Sequence, residues 1–348
     1  MNCVIMAGGT GGHVFPGLAV AEALRERDHK VWWLGAEGGM EEALVQRAEI
    51  EMKSLPITGL RGKGLVRRLM MPWRMLRSTW QARRFMRKHN IDVAISMGGY
   101  VAAPGGLACR TLKTRLVVHE QNSLFGMTNR YLSKWADLVL TGFDLQQQYA
   151  SRWVGNPVRA SIEAKSYQYR TERPTRVLIL GGSLGAHALN TRLPDKLRSA
   201  LEAGAIEIWH QCGKQHKAAT EAAYAGKHQN VRIHEFIDDM AEAYAWADCC
   251  ICRAGALTVA EISVVGLPAL LVPYPHAVDD HQRHNARKLV EAKAAYMWLE
   301  SDPEAQLEDY ITRLQDSNTR SGMAMAMSSL GKAQVAEHIV DLCEELVS

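Results

Sequence analysis

What the chain lacks narrows its class before any motif is read. Nowhere in its 348 residues is there an apolar run of the roughly eighteen residues that span a bilayer. The basic start, apolar middle and small-residue cleavage site of an export signal are missing too, which points to the cytosol. Seven cysteines, an odd and irregularly spaced set, argue against a disulfide framework. Cys249-Cys-Ile-Cys252 lacks zinc-ligand spacing and reads as reduced thiols in a buried strand. No Asp-x-Asp occurs, so sugar transfer through a metal held by that motif is unsupported. Acidic residues are absent between Glu51 and Asp92, where arginine and lysine accumulate although the net charge is only +4.

What is present is glycine in two matching places. Met6-Ala-Gly-Gly-Thr-Gly-Gly-His13 follows the apolar run Cys3–Met6 and precedes an amphipathic stretch, Val14–Arg27, the order of strand, loop and helix. Such a loop turns sharply and aims unpaired N–H groups at an anion. It is no dinucleotide fingerprint, because Val14 stands where the last glycine belongs, and no Gly-Lys-Ser/Thr follows as in a P-loop. Val177-Leu-Ile-Leu-Gly-Gly-Ser-Leu-Gly-Ala186 repeats the pattern at mid-chain. Two similar halves are implied, each with a turn shaped to bind phosphate or, in the plainer reading, only to join strand to helix.

Apolar runs at Cys3–Met6, Val31–Leu34, Val93–Ser96, Leu116–Val118 and Leu138–Leu140 alternate with helical stretches such as Met40–Ala48 and Thr79–Lys88. After Gly155-Asn-Pro-Val158 and a polar run the rhythm resumes at Arg176–Leu180, Ile206–His210, Val231–His234, Cys249–Cys252, Ala269–Val272 and Ala295–Leu299. The fold class is α/β, two Rossmann-like, doubly wound parallel-sheet domains facing across a cleft, with ligands at the carboxyl ends of the strands. The expected domains are residues 1–160 and 161–332, with a closing helix at about 333–348 packing back on the first.

Three further stretches follow apolar strands. In Arg253-Ala-Gly-Ala-Leu-Thr-Val-Ala-Glu261, Thr258 and Glu261 share a helix face, which suits Glu261 to clamp a ribose while Arg253 is free to meet phosphate. The bland alternative is a capped surface helix with a solvated glutamate. Pro273–Asn285 and Val118-His-Glu-Gln-Asn122 offer hydrogen-bonding side chains for a sugar.

Taken with Gly155-Asn-Pro-Val-Arg159 and Asp279-Asp-His-Gln-Arg-His-Asn-Ala286, these motifs closely resemble the MurG family across nearly the whole chain. That family transfers N-acetylglucosamine (GlcNAc) from UDP-GlcNAc to undecaprenyl-pyrophosphoryl-MurNAc-pentapeptide, turning lipid I into lipid II in peptidoglycan synthesis. The resemblance implies a GT-B fold, an inverting, metal-independent reaction and no cofactor. It places Thr10, Gly11, Gly12, Asn122 and Arg159 against the donor, Ser183 on its diphosphate, and Ile237 on uracil through its backbone. Ala256, Leu257, Thr258, Val259, Ala260 and Glu261 line the nucleotide, and Gln282 reaches sugar hydroxyls, in a His281-Gln282 pair where some relatives carry two glutamines.

The attacking C4 hydroxyl needs a general base; His13 is the first candidate and His119 the second, with a loop-ordering or phosphate-binding role as the alternative for His13. The acidic-free segment fits an anionic bilayer surface: Leu65, Leu69, Met70, Trp73 and Leu76 dip into headgroups while Arg67, Arg68, Arg74 and Arg77 meet phosphates. The implied partners are UDP-GlcNAc, lipid I, the membrane surface and cell-wall synthesis proteins. The implied location is peripheral, on the cytoplasmic face of the bacterial inner membrane. A nucleic-acid role has only the arginines in its favour, since no known module is present. Within the same fold the rivals are a UDP-GlcNAc 2-epimerase and other lipid-directed UDP-sugar transferases.

Overall fold

The computed structural model describes residues 1–57, 70–145, 149–172, 174–182, 185–224 and 229–348, with Val278 described by its backbone alone. The chain divides into two compact units, Met1–Arg159 with Gln334–Ser348, and Ala160–Ala333.

In the first unit, strands β1 (Asn2–Ala7), β2 (Lys30–Ala36), β3 (Glu51–Leu55), β4 (Val93–Gly98), β5 (Arg115–Glu120), β6 (Leu138–Thr141) and β7 (Arg152–Trp153) form one sheet in the order β3-β2-β1-β4-β5-β6-β7. Every pairing is parallel. Strands β1 and β4 are apolar almost throughout because helices cover both of their faces. On one face Ile5, Val20, Leu24 and Trp33 pack with Ile339 and Val340 of the last helix, Val335–Val347. On the other, Met6 and Leu34 meet Ala82 and Met86 of the helix Met71–Lys88.

The last helix alters one sequence expectation. The first helix, Gly11–Glu26, is not amphipathic: Val14, Gly17, Val20, Ala21 and Leu24 are among residues buried around most of its girth. A helix lying on a sheet normally leaves one side to water, but here Val335–Val347 covers that side. Their junction is tied by Arg27 to Asp341 (2.6 Å) and Glu344 (3.2 Å), and by His29 to Glu344 (2.7 Å).

The second unit holds β8 (Thr175–Leu180), β9 (Ile206–Gln211), β10 (Val231–His234), β11 (Cys249–Cys252), β12 (Ala269–Leu271) and β13 (Ala295–Met297) in the order β10-β9-β8-β11-β12-β13. All are parallel. Strands β11 and β12, and β8 from Val177 onward, are again continuous apolar runs, and all seven cysteines of the chain are buried and free.

Among the described residues each unit encloses one neutral histidine. Burial pushes His119 in the first down to about 4 and His210 in the second to about 3. An unfolded histidine titrates near 6.5, so below that pH the unfolded chain binds a proton that the folded chain refuses. Stability is therefore full above about pH 6.5 and declines as pH falls toward 4, by on the order of 3 kcal/mol per histidine. The urea midpoint is expected to drop between pH 7 and pH 4.5, and to drop less in His210→Asn. A flat wild-type midpoint across that window would contradict the assignment.

Candidate active site

In the first sheet the order turns over between β1 and β4, so the loops leaving them lie together at the carboxyl ends of the strands, where open α/β sheets take ligands. Gly9 (φ 89), Gly98 (φ 97) and Gly99 (φ 80) hold left-handed backbone. A side chain on Gly99 would strike the Gly8 carbonyl, and one on Gly98 would lie 3.1 Å from the His13 ring. Glu41, fully buried, braces the first loop from behind: its carboxylate accepts from the N–H of Ala36 (2.8 Å) and of Gly9 (3.3 Å). Trp33 Nε1 fixes the strand end by donating to the Ala7 carbonyl (3.0 Å).

Thr10 enters the first helix in extended backbone without a side-chain cap, and no acid stands in the first turn. Thr10 and Gly12 are exposed and Gly11 half-buried. That helix end keeps its N–H donors and positive dipole for an external anion. Pro16 also has no N–H to give to the Gly12 carbonyl four residues back.

His13 is half-buried, and its Nδ1 lies 2.9 Å from Gln121 Oε1. Gln121 Nε2 is 3.0 Å from the His119 carbonyl and 3.1 Å from His119 Nδ1, and His119 Nε2 is 2.8 Å from the Gly155 carbonyl. His119 is wholly enclosed with both ring nitrogens engaged. Neither nitrogen of this second candidate base is open in the structure. Beside it, Glu120 accepts from Asn122 N and Nδ2 (3.1 and 3.2 Å), Gly126 N (3.0 Å) and Asn129 Nδ2 (3.0 Å), which shapes the turn carrying Asn122. Arg159 lays its guanidinium over Phe15 of the first helix, 5.1 Å from the ring centre.

In the second sheet the order turns over between β8 and β11. After β8 come Gly182 (φ 79) and Gly185 (φ 80), the latter packed so tightly on the Cys212 carbonyl that any side chain would overlap it. Ser183 lies outside the described residues. After β11 the helix Ala256–Val265 begins at an uncapped Gly255, again with no acid in its first turn, and stops at Gly266 in left-handed backbone (φ 80). Ala256 and Val259 are buried, while Leu257, Thr258 and Ala260 remain partly accessible.

Glu261 is no solvated surface group. It is 5% exposed and accepts from the Tyr244 hydroxyl at 2.8 Å, with Tyr244 itself fully buried. The Ile237 N–H donates to Gln211 Oε1 (3.2 Å), and Gln282 Oε1 accepts from the Tyr274 N–H (2.9 Å). Arg253 departs from expectation. It pairs with Glu300 (2.7 Å), donates to the carbonyls of Val272 (3.0 Å) and Pro273 (3.2 Å) and lies over Tyr274. These contacts give part of the guanidinium a structural task at the strand end.

Of the residues expected to face a bilayer, Leu65, Arg67, Arg68 and Leu69 lie outside the described residues. Met70, Trp73 and Leu76 are exposed, at 47%, 65% and 66%, and Trp80 joins them at 60%. Trp73, Leu76 and Trp80 recur at helical spacing on the side of Met71–Lys88 opposite Ser78, Ala82 and Met86.

The chain matches the Glycosyltransferase family 28 N-terminal domain over residues 3–141 and the Glycosyltransferase family 28 C-terminal domain over residues 176–341. The UDP-N-acetylglucosamine–N-acetylmuramyl-(pentapeptide) pyrophosphoryl-undecaprenol N-acetylglucosamine transferase of Chromohalobacter salexigens is 43% identical over 349 residues, 98% of this chain and 96% of its own. The crystal structure of Acinetobacter baumannii MurG is 39% identical over 99% of both chains, with a TM-score of 0.84. The chain belongs to the MurG family. A putative UDP-N-acetylglucosamine 2-epimerase from Listeria monocytogenes has a TM-score of 0.70 over 99% of this chain and 96% of its own, but at 13% identity it shares the fold alone. The two parallel-sheet units are those of GT-B glycosyltransferases, as the resemblance to MurG implies.

Sequence reasoning passed over Gly98-Gly99, Glu41 and Tyr244, and offered Gln121 only as one of the hydrogen-bonding residues of Val118–Asn122. A glycine pair straight after the apolar run Val93–Ser96 was a usable signal, by the rule that found the other two loops. Glu41 and Tyr244 had none, because the Gly9 N–H that Glu41 braces is 32 residues away and the Glu261 that Tyr244 meets is 17 away.

Proposed function

We propose that this chain transfers GlcNAc from UDP-GlcNAc to the C4 hydroxyl of MurNAc in lipid I, giving lipid II with inversion at the sugar and without a metal. The carrying observation is identity along nearly the entire chain with transferases named for that reaction. In this reading the second unit holds the donor. Glu261 takes the ribose hydroxyls, Ile237 presents its carbonyl to uracil because its N–H is already given to Gln211, and Gln282 reaches the sugar. Leu257, Thr258 and Ala260 touch the nucleotide, Ala256 and Val259 support it, and Ser183 bonds the diphosphate. In the first unit Thr10, Gly11, Gly12, Asn122 and Arg159 approach the donor phosphates and sugar, and His13 takes the proton of the attacking hydroxyl. Charge developing on UDP meets fixed N–H groups and helix ends.

The test is UDP release from UDP-GlcNAc in EDTA, with and without a lipid I analogue. Acceptor-dependent release in EDTA is expected; release without acceptor, or appearance of ManNAc, would overturn the reading.

The protein works at the cytoplasmic face of the inner membrane, alongside other cell-wall synthesis proteins. In this reading attachment is peripheral; no described helix is long and apolar enough to cross a membrane. Its contact is the Trp73, Leu76 and Trp80 stripe, flanked by Arg77, Arg84 and Arg87, all exposed. Each indole withdrawn from water contributes on the order of 1 kcal/mol or more, so Trp73→Ser with Trp80→Ser is expected to weaken binding to phosphatidylglycerol vesicles at least tenfold. Raised salt should weaken wild-type binding as well. Co-sedimentation measures both, and unchanged binding of the double variant would exclude this face.

A further inference from the structure

The hydrogen bonds around His13 form a chain whose two fixed ends dictate every proton between them. A backbone carbonyl only accepts. The Gly155 carbonyl, 2.8 Å from His119 Nε2, therefore requires a hydrogen on that nitrogen. Buried and neutral, His119 then has a bare lone pair at Nδ1. The His119 carbonyl, 3.0 Å from the Gln121 side chain, settles which end of that amide is nitrogen. The amide's two hydrogens go to this carbonyl and to His119 Nδ1 (3.1 Å). Its oxygen is left facing His13 Nδ1 at 2.9 Å, and an amide oxygen only accepts.

We infer that Gln121 is a positioning residue that holds His13 as the Nδ1–H tautomer, leaving the Nε2 lone pair as the one site on the ring able to take a proton. This deepens the proposed reaction and rests on the reading of His13 as its base. Gln121 never touches substrate; it acts through His13, and His119 acts through Gln121. The support continues outward, since the Gln121 carbonyl accepts from Asn156 Nδ2 (3.0 Å), so the Gly155–Arg159 turn meets this relay at both Gly155 and Asn156. The link is a neutral amide rather than a carboxylate. It orients the ring through one fixed acceptor and brings no charge to it.

The tautomer can be observed without any assay. In protein labelled with 15N-histidine, His13, assigned by its loss in His13→Ala, is expected to show a protonated Nδ1 and a bare Nε2 in the neutral ring. In Gln121→Met, close in size but unable to accept, the pattern is expected to move toward a mixture of tautomers. Turnover should fall by up to about 100-fold, the lower end of what a positioned base contributes, while the KM for UDP-GlcNAc stays within about threefold. Gln121→Glu keeps an acceptor toward His13, but its second oxygen stands where the amide gave hydrogens to the His119 carbonyl and Nδ1, so it must carry a proton. As the neutral acid it should restore the Nδ1–H pattern and part of the lost turnover, which a merely structural role would not do. A wild-type His13 carrying its hydrogen on Nε2 would overturn the inference, and that spectrum decides the matter even where Gln121→Met does not fold. An Nδ1–H pattern together with a fully active His13→Ala would instead overturn the base reading and leave the tautomer lock standing.

Discussion

His13→Ala is expected to lower turnover by about 10²–10⁴-fold at saturating substrates, the range that a positioned general base supplies. The ring sits where the glycine turns after β1 and β4 meet, close enough to Gly98 that a β-carbon there would crowd it. Removing it leaves the backbone of the first helix and its N–H donors in place, because those depend on Glu41 and Trp33 rather than on the imidazole. The loss should therefore fall on kcat, with the donor KM nearly unchanged, as for an interaction made only in the transition state. If His13 only held acceptor phosphate, the acceptor KM would rise and kcat would recover at high acceptor. Steady-state kinetics with both substrates varied separates the two.

Glu261→Ala is expected to weaken UDP-GlcNAc binding by roughly 10–100-fold, the worth of hydrogen bonds to a charged group in a closed environment. The carboxylate is nearly enclosed, and the Tyr244 hydroxyl holds one oxygen. Its position is thus set before any ligand arrives, and little ordering is needed on binding. The cause can be isolated with a donor lacking a ribose hydroxyl. Wild type should bind that analogue about as weakly as Glu261→Ala binds UDP-GlcNAc, and combining the two changes should cost little more. Additive losses in calorimetry would show that Glu261 acts elsewhere. The same variant leaves the Tyr244 hydroxyl buried without its acceptor, so a stability loss of about 1–3 kcal/mol should accompany it, and less in Glu261→Gln.

The strands that carry the site were legible because a parallel strand covered on both faces must be apolar throughout, and β1, β4, β8 and β11 are short unbroken runs ending in glycine or a loop. Edge strand β3 escaped notice because Glu51-Met-Lys-Ser-Leu55 is half-exposed and mixes polar with apolar residues. The helix expected at Thr79 begins at Met71, since Pro72 in the first turn starts a helix as readily as it ends one. Site residues were legible where they sit on the loop that names them. They were less legible where a distant partner shapes the surroundings. Arg253 looked free until Glu300 and the Val272 carbonyl came beside it, and His119 looked reactive until the Gly155 carbonyl closed its ring. Which groups a side chain meets across the sheet is a matter of tertiary distance, and local pattern does not encode it.

Because the first unit is completed by Gln334–Ser348, its assembly is bound to the order of synthesis. Everything it needs apart from that segment emerges from the ribosome by Arg159, yet the apolar flank of Gly11–Glu26 waits for its cover until the whole of Ala160–Ala333 has been made. At about 5–20 residues per second the wait is roughly 10–35 s, during which the second unit can fold to completion as an uninterrupted stretch. The half of the molecule translated first is thus the half finished last. A premature stop within Gln334–Ser348 would be felt in the glycine loop at the other end of the message, through the helix that positions it.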